Sequence, residues 1–378
     1  MSKAALNTAP MSEDKICRWG ILSTAGIAQK NWESIRNSEN ATLVAVASRS
    51  EEKAQAFIDE CQGQVAFPEA PRAIGSYEQL LAADDIDAVY IPLPTGVRKE
   101  WVIKAAQAGK HVMCEKPCAI HGDDLAEMIA ACETANVQFM DGVMFMHSKR
   151  LDAVRAALND SESIGEITRI ASQFSFFAPQ DFREGNIRVH SGLEPAGCLG
   201  DLGWYTIRMT LWTMNYAMPK QVSGRLLAGH ARDDSPDQVP TQFSGELFFD
   251  NGVSASFYNS FETQHQQWVN VSGTKGHLTI NDFVLPYLSN EVNFDVANAA
   301  FVQDTCQFVM EKHTRTVATP EYSNNHANAQ ETNLFRKFSS LALSGQPDPH
   351  WPDIALKTQR ILDACLASAR DGGKLIDL

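Results

Sequence analysis

Ile16-Cys17-Arg18-Trp19-Gly20-Ile21-Leu22-Ser23-Thr24-Ala25-Gly26-Ile27-Ala28 is an apolar strand that runs directly into a turn of small residues. Residues 16–23 read as the strand, and Ile27, Ala28, Trp32 and Ile35 continue as the apolar side of a helix. A dinucleotide fold wants small side chains at such a turn. They allow a tight bend, close approach of the backbone to a pyrophosphate, and close helix packing. Ser23, Ala25 and Ala28 stand at the three positions of G-x-G-x-x-G, so the turn by itself suits any tight strand–helix connection equally well. Free amides at the helix start, over Ser23, Thr24, Ala25, Gly26, Ile27 and Ala28, would still bind phosphate.

The pattern repeats outward from this stretch. Residues 42–48 and 86–92 are strands that are apolar on both faces, and helical stretches follow over 51–61 and 97–108, the latter closed by Gly109. Residues 110–114 form the next strand. Asp123 and Asp124 open a helix with Leu125, Met128, Ile129 and Cys132 on one side, and residues 137–144 supply a further strand. Alternation of this kind predicts an α/β doubly wound parallel sheet of Rossmann type over residues 15–145. Residues 1–14 read as a flexible polar leader. Beyond 150, strand-like runs at 166–176, 221–227, 243–249, 253–259, 267–271 and 277–280 predict a C-terminal α+β domain over 146–378. It is built on a large, mostly antiparallel open sheet and ends in a helix over 353–369.

A net charge of −14 over 378 residues excludes a nucleic-acid partner as the main function, since phosphate backbones need clustered Lys and Arg. No apolar run approaches the roughly 18 residues that a membrane span needs. The eight cysteines include no CxxC pair, and no Cys/His set accompanies Cys114 and Cys118. They read as buried free thiols in a reducing cytoplasm, and no metal site is expected.

Chemistry concentrates in two places. Glu115-Lys116-Pro117 follows the strand 110–114, at the carboxyl end where open α/β sheets bind their ligands. Gly200-Asp201-Leu202-Gly203-Trp204-Tyr205 opens a helix on which Asp201, Tyr205, Arg208 and Trp212 share one face. Gly203 costs such a helix about 1 kcal/mol relative to Ala, which close approach by another element or a ligand would offset. At the end of the second strand, where an NAD enzyme usually carries an acid for the ribose 2′-hydroxyl, the chain reads Ser48-Arg49-Ser50 with Lys53 a turn later. Cations and hydroxyls there suit a 2′-phosphate, so NADP is favoured over NAD. Leu93, Pro94 and Thr95 form a stiff loop beside the cofactor, with Arg98 in the helix behind it.

Together these residues resemble the Gfo/Idh/MocA oxidoreductases, the family of glucose–fructose oxidoreductase and inositol dehydrogenase. The resemblance covers about residues 16–370 and includes the Gly273-Thr274-Lys275-Gly276 turn and Trp351-Pro352. It implies hydride transfer between a nicotinamide and a sugar, polyol or cyclic diol, with Glu115 and Lys116 at the cofactor. Lys116 would hydrogen-bond the reacting hydroxyl and the nicotinamide ribose. Tyr205 would be the proton donor and acceptor, and Asp201 would orient the reacting groups. Lys116, Asp201, Tyr205 and Arg208 would face the substrate. Tyr205, where His is more frequent, resembles the dihydrodiol and xylose dehydrogenase branch. Arg98 stands where relatives often carry His, a change that suits either a more anionic substrate or a plain surface arginine. The resemblance further implies a homo-oligomer, dimer or tetramer, built through the C-terminal sheet. Physically, a lysine ammonium beside Tyr205 is expected to favour the phenolate and lower its pKa from about 10. Other readings on the same fold are a non-catalytic NADP-binding regulator or scaffold, and a redox-assisted glycosidase.

Overall fold

In the computed structural model, which describes residues 16–378, two sheets share a continuous core. The leader assigned to 1–14 lies outside the described residues. Strands β1 (Cys17–Leu22), β2 (Ala41–Ala47), β3 (Arg72–Ile74), β4 (Ala88–Ile91), β5 (His111–Cys114) and β6 (Phe139–Asp141) form a six-stranded parallel sheet in the order β3-β2-β1-β4-β5-β6. The order reverses between β1 and β4, which opens a crevice at the carboxyl ends of those strands.

Two-residue alternation explains why both faces of this sheet are covered. Val89 and Ile91 of β4 and Val112 and Cys114 of β5 point into the core shared with the second sheet. Trp19, Ile21, Tyr90 and Met113 point the other way, where Leu334, Phe335 and Phe338 of a late helix, Gln330–Ser344, cover them. Trp19 packs 5.2 Å from Phe335 and 5.0 Å from Phe338, and its indole donates to Ser339 at 3.0 Å. Thus the chain returns, after building its second sheet, to close the back of the first.

The second sheet comprises β7 (Ile167–Phe177), β8 (Gln221–Arg232), β9 (Ser235–Phe248), β10 (Ser254–Ser260), β11 (Glu262–Gly273), β12 (His277–Ile280), β13 (Glu291–Asp304), β14 (Gln307–Pro320) and β15 (Ile376–Asp377). Its nine strands run β14-β13-β12-β11-β7-β10-β9-β8-β15, with β7 and β10 parallel and the other neighbours antiparallel. The helices Trp204–Thr213 and His350–Arg370 lie between this sheet and the first. Sequence reading missed the β13–β14 hairpin, whose outer half is exposed on both faces and so lacks in/out alternation. The strand expected over 137–144 shortens to Phe139–Asp141, because Met144–His147 coils into a 3₁₀ turn.

A buried ion pair joins the layers. Arg208 is fully buried, and its guanidinium meets Asp141 at the end of β6 at 2.6 and 3.3 Å. The Trp204 indole donates to the same carboxylate at 2.9 Å, and Arg208 Nε donates to Thr358 of the last long helix at 2.8 Å. Removing one partner of such a pair strands an uncompensated charge. We therefore expect Asp141→Ala to cost about 3–5 kcal/mol of stability, read as a lower urea midpoint; a midpoint equal to wild type would contradict this account.

Candidate active site

Two motifs far apart in sequence meet at the crevice. β5 delivers Glu115-Lys116-Pro117, with a cis bond before Pro117. The second domain brings the π turn Leu199–Gly203, which leads into the helix Trp204–Thr213. Gly200 packs on Pro117, where a Cβ would sit 3.3 Å from the ring, and Gly203 leaves room for Leu199 and Asn259. Another element, not a ligand, is therefore what makes glycine necessary at 203.

Lys116 crosses this contact. Its ammonium lies 2.5 Å from Asp201 Oδ1, donates to the Asp201 carbonyl at 2.8 Å, and stands 4.8 Å from the centre of the Tyr205 ring. Arg188, from the loop after β7, approaches the other oxygen of Asp201 at 3.0 Å. Burial alone would raise the Asp201 carboxyl, but the charges of Arg188 and Lys116 overcome it and hold the group at about 2. Burial opposes the charge on Lys116 as well; Asp201 and Tyr205 together outweigh it and lift the ammonium above the usual lysine range.

Tyr205 departs from expectation. Burial between Phe174 and Phe145, whose rings lie 5.6 and 6.3 Å away, pushes its phenol up to about 12 against the lowering effect of Lys116. Glu115 and Asp201 add to the rise. The lysine thus moderates the increase without reversing it. Among the described residues the Tyr205 hydroxyl has no hydrogen-bond partner, so it remains available to a ligand.

These groups line a cleft of about 1070 Å³. One wall is the β1 turn at Ala25, Gly26 and Ile27 together with Pro92 and Leu93 after β4. The other carries Phe174, Phe176, Leu202 and His265. The turn keeps its geometry without glycine at the three motif positions: Ser23 adopts φ +138°, a conformation glycine takes at low cost. No side chain caps the helix Gly26–Asn37 and its first turn has no acidic residue; the Ala28 amide is taken by the Ala25 carbonyl at 2.8 Å, while those of Gly26 and Ile27 have no partner among the described residues and are open to an anion. This donor set fits the pyrophosphate of a dinucleotide. Arg49 lies exposed at the end of β2, with Ser48 buried beside it and Lys53 exposed on the following helix. None of the three borders the cleft.

Other expected site residues play different parts. Ala28 is core, packed under the turn. Thr24 sits half-buried within the turn, and Pro94 precedes the helix Thr95–Gln107. Thr95 is held by Glu194, which accepts from its amide at 3.0 Å and its hydroxyl at 2.7 Å. Arg98 is not a surface arginine, although it borders the cleft. It is buried and donates to the carbonyls of Leu93, Glu115 and Pro117, tying the two strand-end loops together. Arg208, expected at the substrate, is instead the buried partner of Asp141 and lies outside the cleft lining. A shared helical face could not tell core from cleft, and the expected helix begins only at Trp204, with Asp201 in the π turn before it. Glu115 accepts from Tyr90 at 2.5 Å, and Tyr90 in turn accepts from Asn31 at 2.8 Å. Sequence reading missed Arg188 and Glu194, which sit in an irregular loop without periodicity.

Residues 17–143 match the oxidoreductase family described as an NAD-binding Rossmann fold, and residues 153–279 match the Gfo/Idh/MocA C-terminal domain. D-xylose 1-dehydrogenase (NADP(+)) 2 of Haloferax volcanii is 35% identical over 70% of this chain and 75% of its own length. The trans-1,2-dihydrobenzene-1,2-diol dehydrogenase of Bos taurus is 28% identical over 70% of this chain and 74% of its own. Among solved structures, a 3-ketoreductase from Actinomadura kijaniata in complex with NADP and TDP-benzene superposes with a TM-score of 0.78 at 24% identity, over 94% of this chain and 98% of that one, a likeness of fold. The two-sheet architecture, the amide-lined turn and the joined Glu-Lys-Pro and Gly-Asp motifs therefore have one source: the chain belongs to the Gfo/Idh/MocA oxidoreductase family.

Proposed function

We propose that this oxidoreductase moves hydride between NADP and a CH–OH carbon of a sugar, polyol or cyclic diol. The observation that carries the reading is Lys116, held between Asp201 and Tyr205 at the carboxyl end of β5 and beside the amide-lined turn. When bound, the nicotinamide accepts or supplies the hydride.

The protein's own groups handle the oxygen. Lys116, its charge maintained by Asp201, donates to the reacting oxygen and stabilises the negative charge that builds there during transfer. The Tyr205 hydroxyl gives its proton to that oxygen in reduction and takes it back in oxidation. With its phenol pushed up to about 12, the resting site is protonated at neutral pH and poised for reduction. Glu115, buried between Tyr90 and the Lys116 amide, positions the loop that presents the lysine.

Arg49 supports NADP over NAD, since the end of β2 carries a cation where an acid would repel the 2′-phosphate. The name of the Haloferax relative specifies NADP(+), and the Actinomadura structure holds NADP. Half-buried Tyr258 and Trp268 on the outer face of the second sheet support a homo-oligomer, dimer or tetramer. Eight free cysteines accord with a reducing cytoplasm, and no described helix is long and apolar enough to cross a membrane.

Tyr205→Phe should lower kcat by about 10²–10⁴-fold while thermal stability and NADPH fluorescence titrations stay near wild type, and Lys116→Ala should lower kcat by a similar factor with some loss of stability, because Asp201 is left to Arg188 alone. Full turnover by either variant would remove the role given to that residue. Arg49→Ala should weaken NADPH binding by about 10–100-fold, the worth of a charged hydrogen bond, and NADH binding far less. Equal losses for the two cofactors would contradict the 2′-phosphate contact. Because oxidation needs the ionised phenol, its kcat/KM should climb with pH across 7 to 9, whereas reduction should stay flat over that range. An oxidation rate that does not change with pH there would rule Tyr205 out as the base.

A further inference from the structure

The loop between β7 and the π turn, residues 178–195, reaches from the second sheet to the first and is pinned there. Beyond the Glu194–Thr95 bonds, the Gly96 amide donates to the Leu193 carbonyl at 2.9 Å. Gly96 has no room for a side chain, because a Cβ would strike the Gly192 carbonyl. Further back, the Asn186 side chain accepts from the Arg188 amide at 3.0 Å and its carbonyl accepts from Arg232 at 3.1 Å. Fastened on both sides, the loop carries Arg188 into the cleft next to Asp201, Lys116 and Tyr205.

Only Nε of Arg188 is engaged there. The side chain is 42% exposed, and among the described residues neither terminal nitrogen has a partner. A planar fork of donors therefore faces the cleft beside a carboxylate that can still accept. A hydroxyl both accepts and donates, so it satisfies the two groups at once. A carboxylate or phosphate would meet Arg188 but also stand against the Asp201 carboxylate 3.0 Å from its Nε, although Lys30, Arg98 and Lys116 border the same cleft. A bare methylene would leave the fork unpaired against the Phe174 and Phe176 wall.

Lys116 and Arg188 grip opposite oxygens of one carboxylate, so the ligand atoms they serve are neighbours. Resting on the proposed role of Lys116 at the reacting oxygen, we propose that Arg188, with Asp201, reads a hydroxyl on the adjacent carbon. Arg188 is thus the residue that makes the site discriminate against the matching deoxy compounds.

The test compares kcat/KM for two pairs, D-xylose with 2-deoxy-D-xylose and trans-cyclohexane-1,2-diol with cyclohexanol, using NADP and wild type, Arg188→Ala and Arg188→Lys. Wild type should favour the diol of at least one pair by about 100-fold or more, as expected of a site built to bond a substrate hydroxyl. Arg188→Ala should abolish most of that preference by lowering the diol value alone, with Arg188→Lys between the two. NADPH binding, followed by fluorescence, should be unchanged in both variants; if the alanine variant does not fold, the lysine variant must still show a reduced preference. Equal loss on both members of a pair, with a shifted pH profile, would mean that Arg188 acts only through Asp201, and the proposal falls. Equal wild-type rates on diol and deoxy compound also overturn it. Wild type that oxidises other sugars or polyols with NADP yet turns over neither pair overturns this proposal alone, whereas NADPH binding with no turnover of any CH–OH compound sinks the hydride-transfer reading as well.

Discussion

A charge taken out of water must find its partner nearby, and in this protein that requirement ties two sheets into one enzyme. Asp141 ends a strand of the first sheet and Arg208 lies on a helix of the second domain, and neither is tolerable where it sits without the other. Their pairing fixes the helix that carries Tyr205 three residues earlier. Lys116 and Asp201 repeat the arrangement nearer the cleft, one from each half of the chain. Site geometry thus follows from where buried charges can be neutralised, and the glycines at 200 and 203 allow the backbones close enough for it.

Sequence periodicity made much of the first sheet legible, because strands buried on both faces are apolar throughout and the helices between them keep their period. The motifs at Lys116 and Tyr205 were equally readable as residues, and the cleft brings them together as the family resemblance implied. What could not be read was burial. Arg98 and Arg208 look like ligand-facing cations in one dimension, yet each is consumed by acceptors that arrive from distant segments. The β13–β14 hairpin, exposed on both faces over its outer half, offers no alternation to detect. Arg188 and Glu194 lie in an irregular loop whose path is set by contacts with Thr95 and Gly96 about a hundred positions away.

Tyr205 shows why the site had to be weighed as well as recognised. An adjacent lysine favours a phenolate, but the aromatic wall that shapes the cleft removes water from the same hydroxyl, and desolvation prevails. A phenol that keeps its proton at neutral pH is a ready acid, which suits reduction, and a reluctant base, which makes oxidation depend on pH. The same apolar wall raises the cost of leaving any polar group of the cleft unpaired, so the packing that sets the proton chemistry also sharpens the choice of substrate.

If Lys116 and Tyr205 converge on one substrate oxygen, a crystal structure of the ternary complex with NADP and an unreactive diol or sugar analogue will show it. A ligand oxygen should lie within hydrogen-bond reach, about 2.6–3.2 Å, of both Lys116 Nζ and the Tyr205 hydroxyl, on the nicotinamide side of the cleft. An analogue bound with that oxygen away from either group would contradict it.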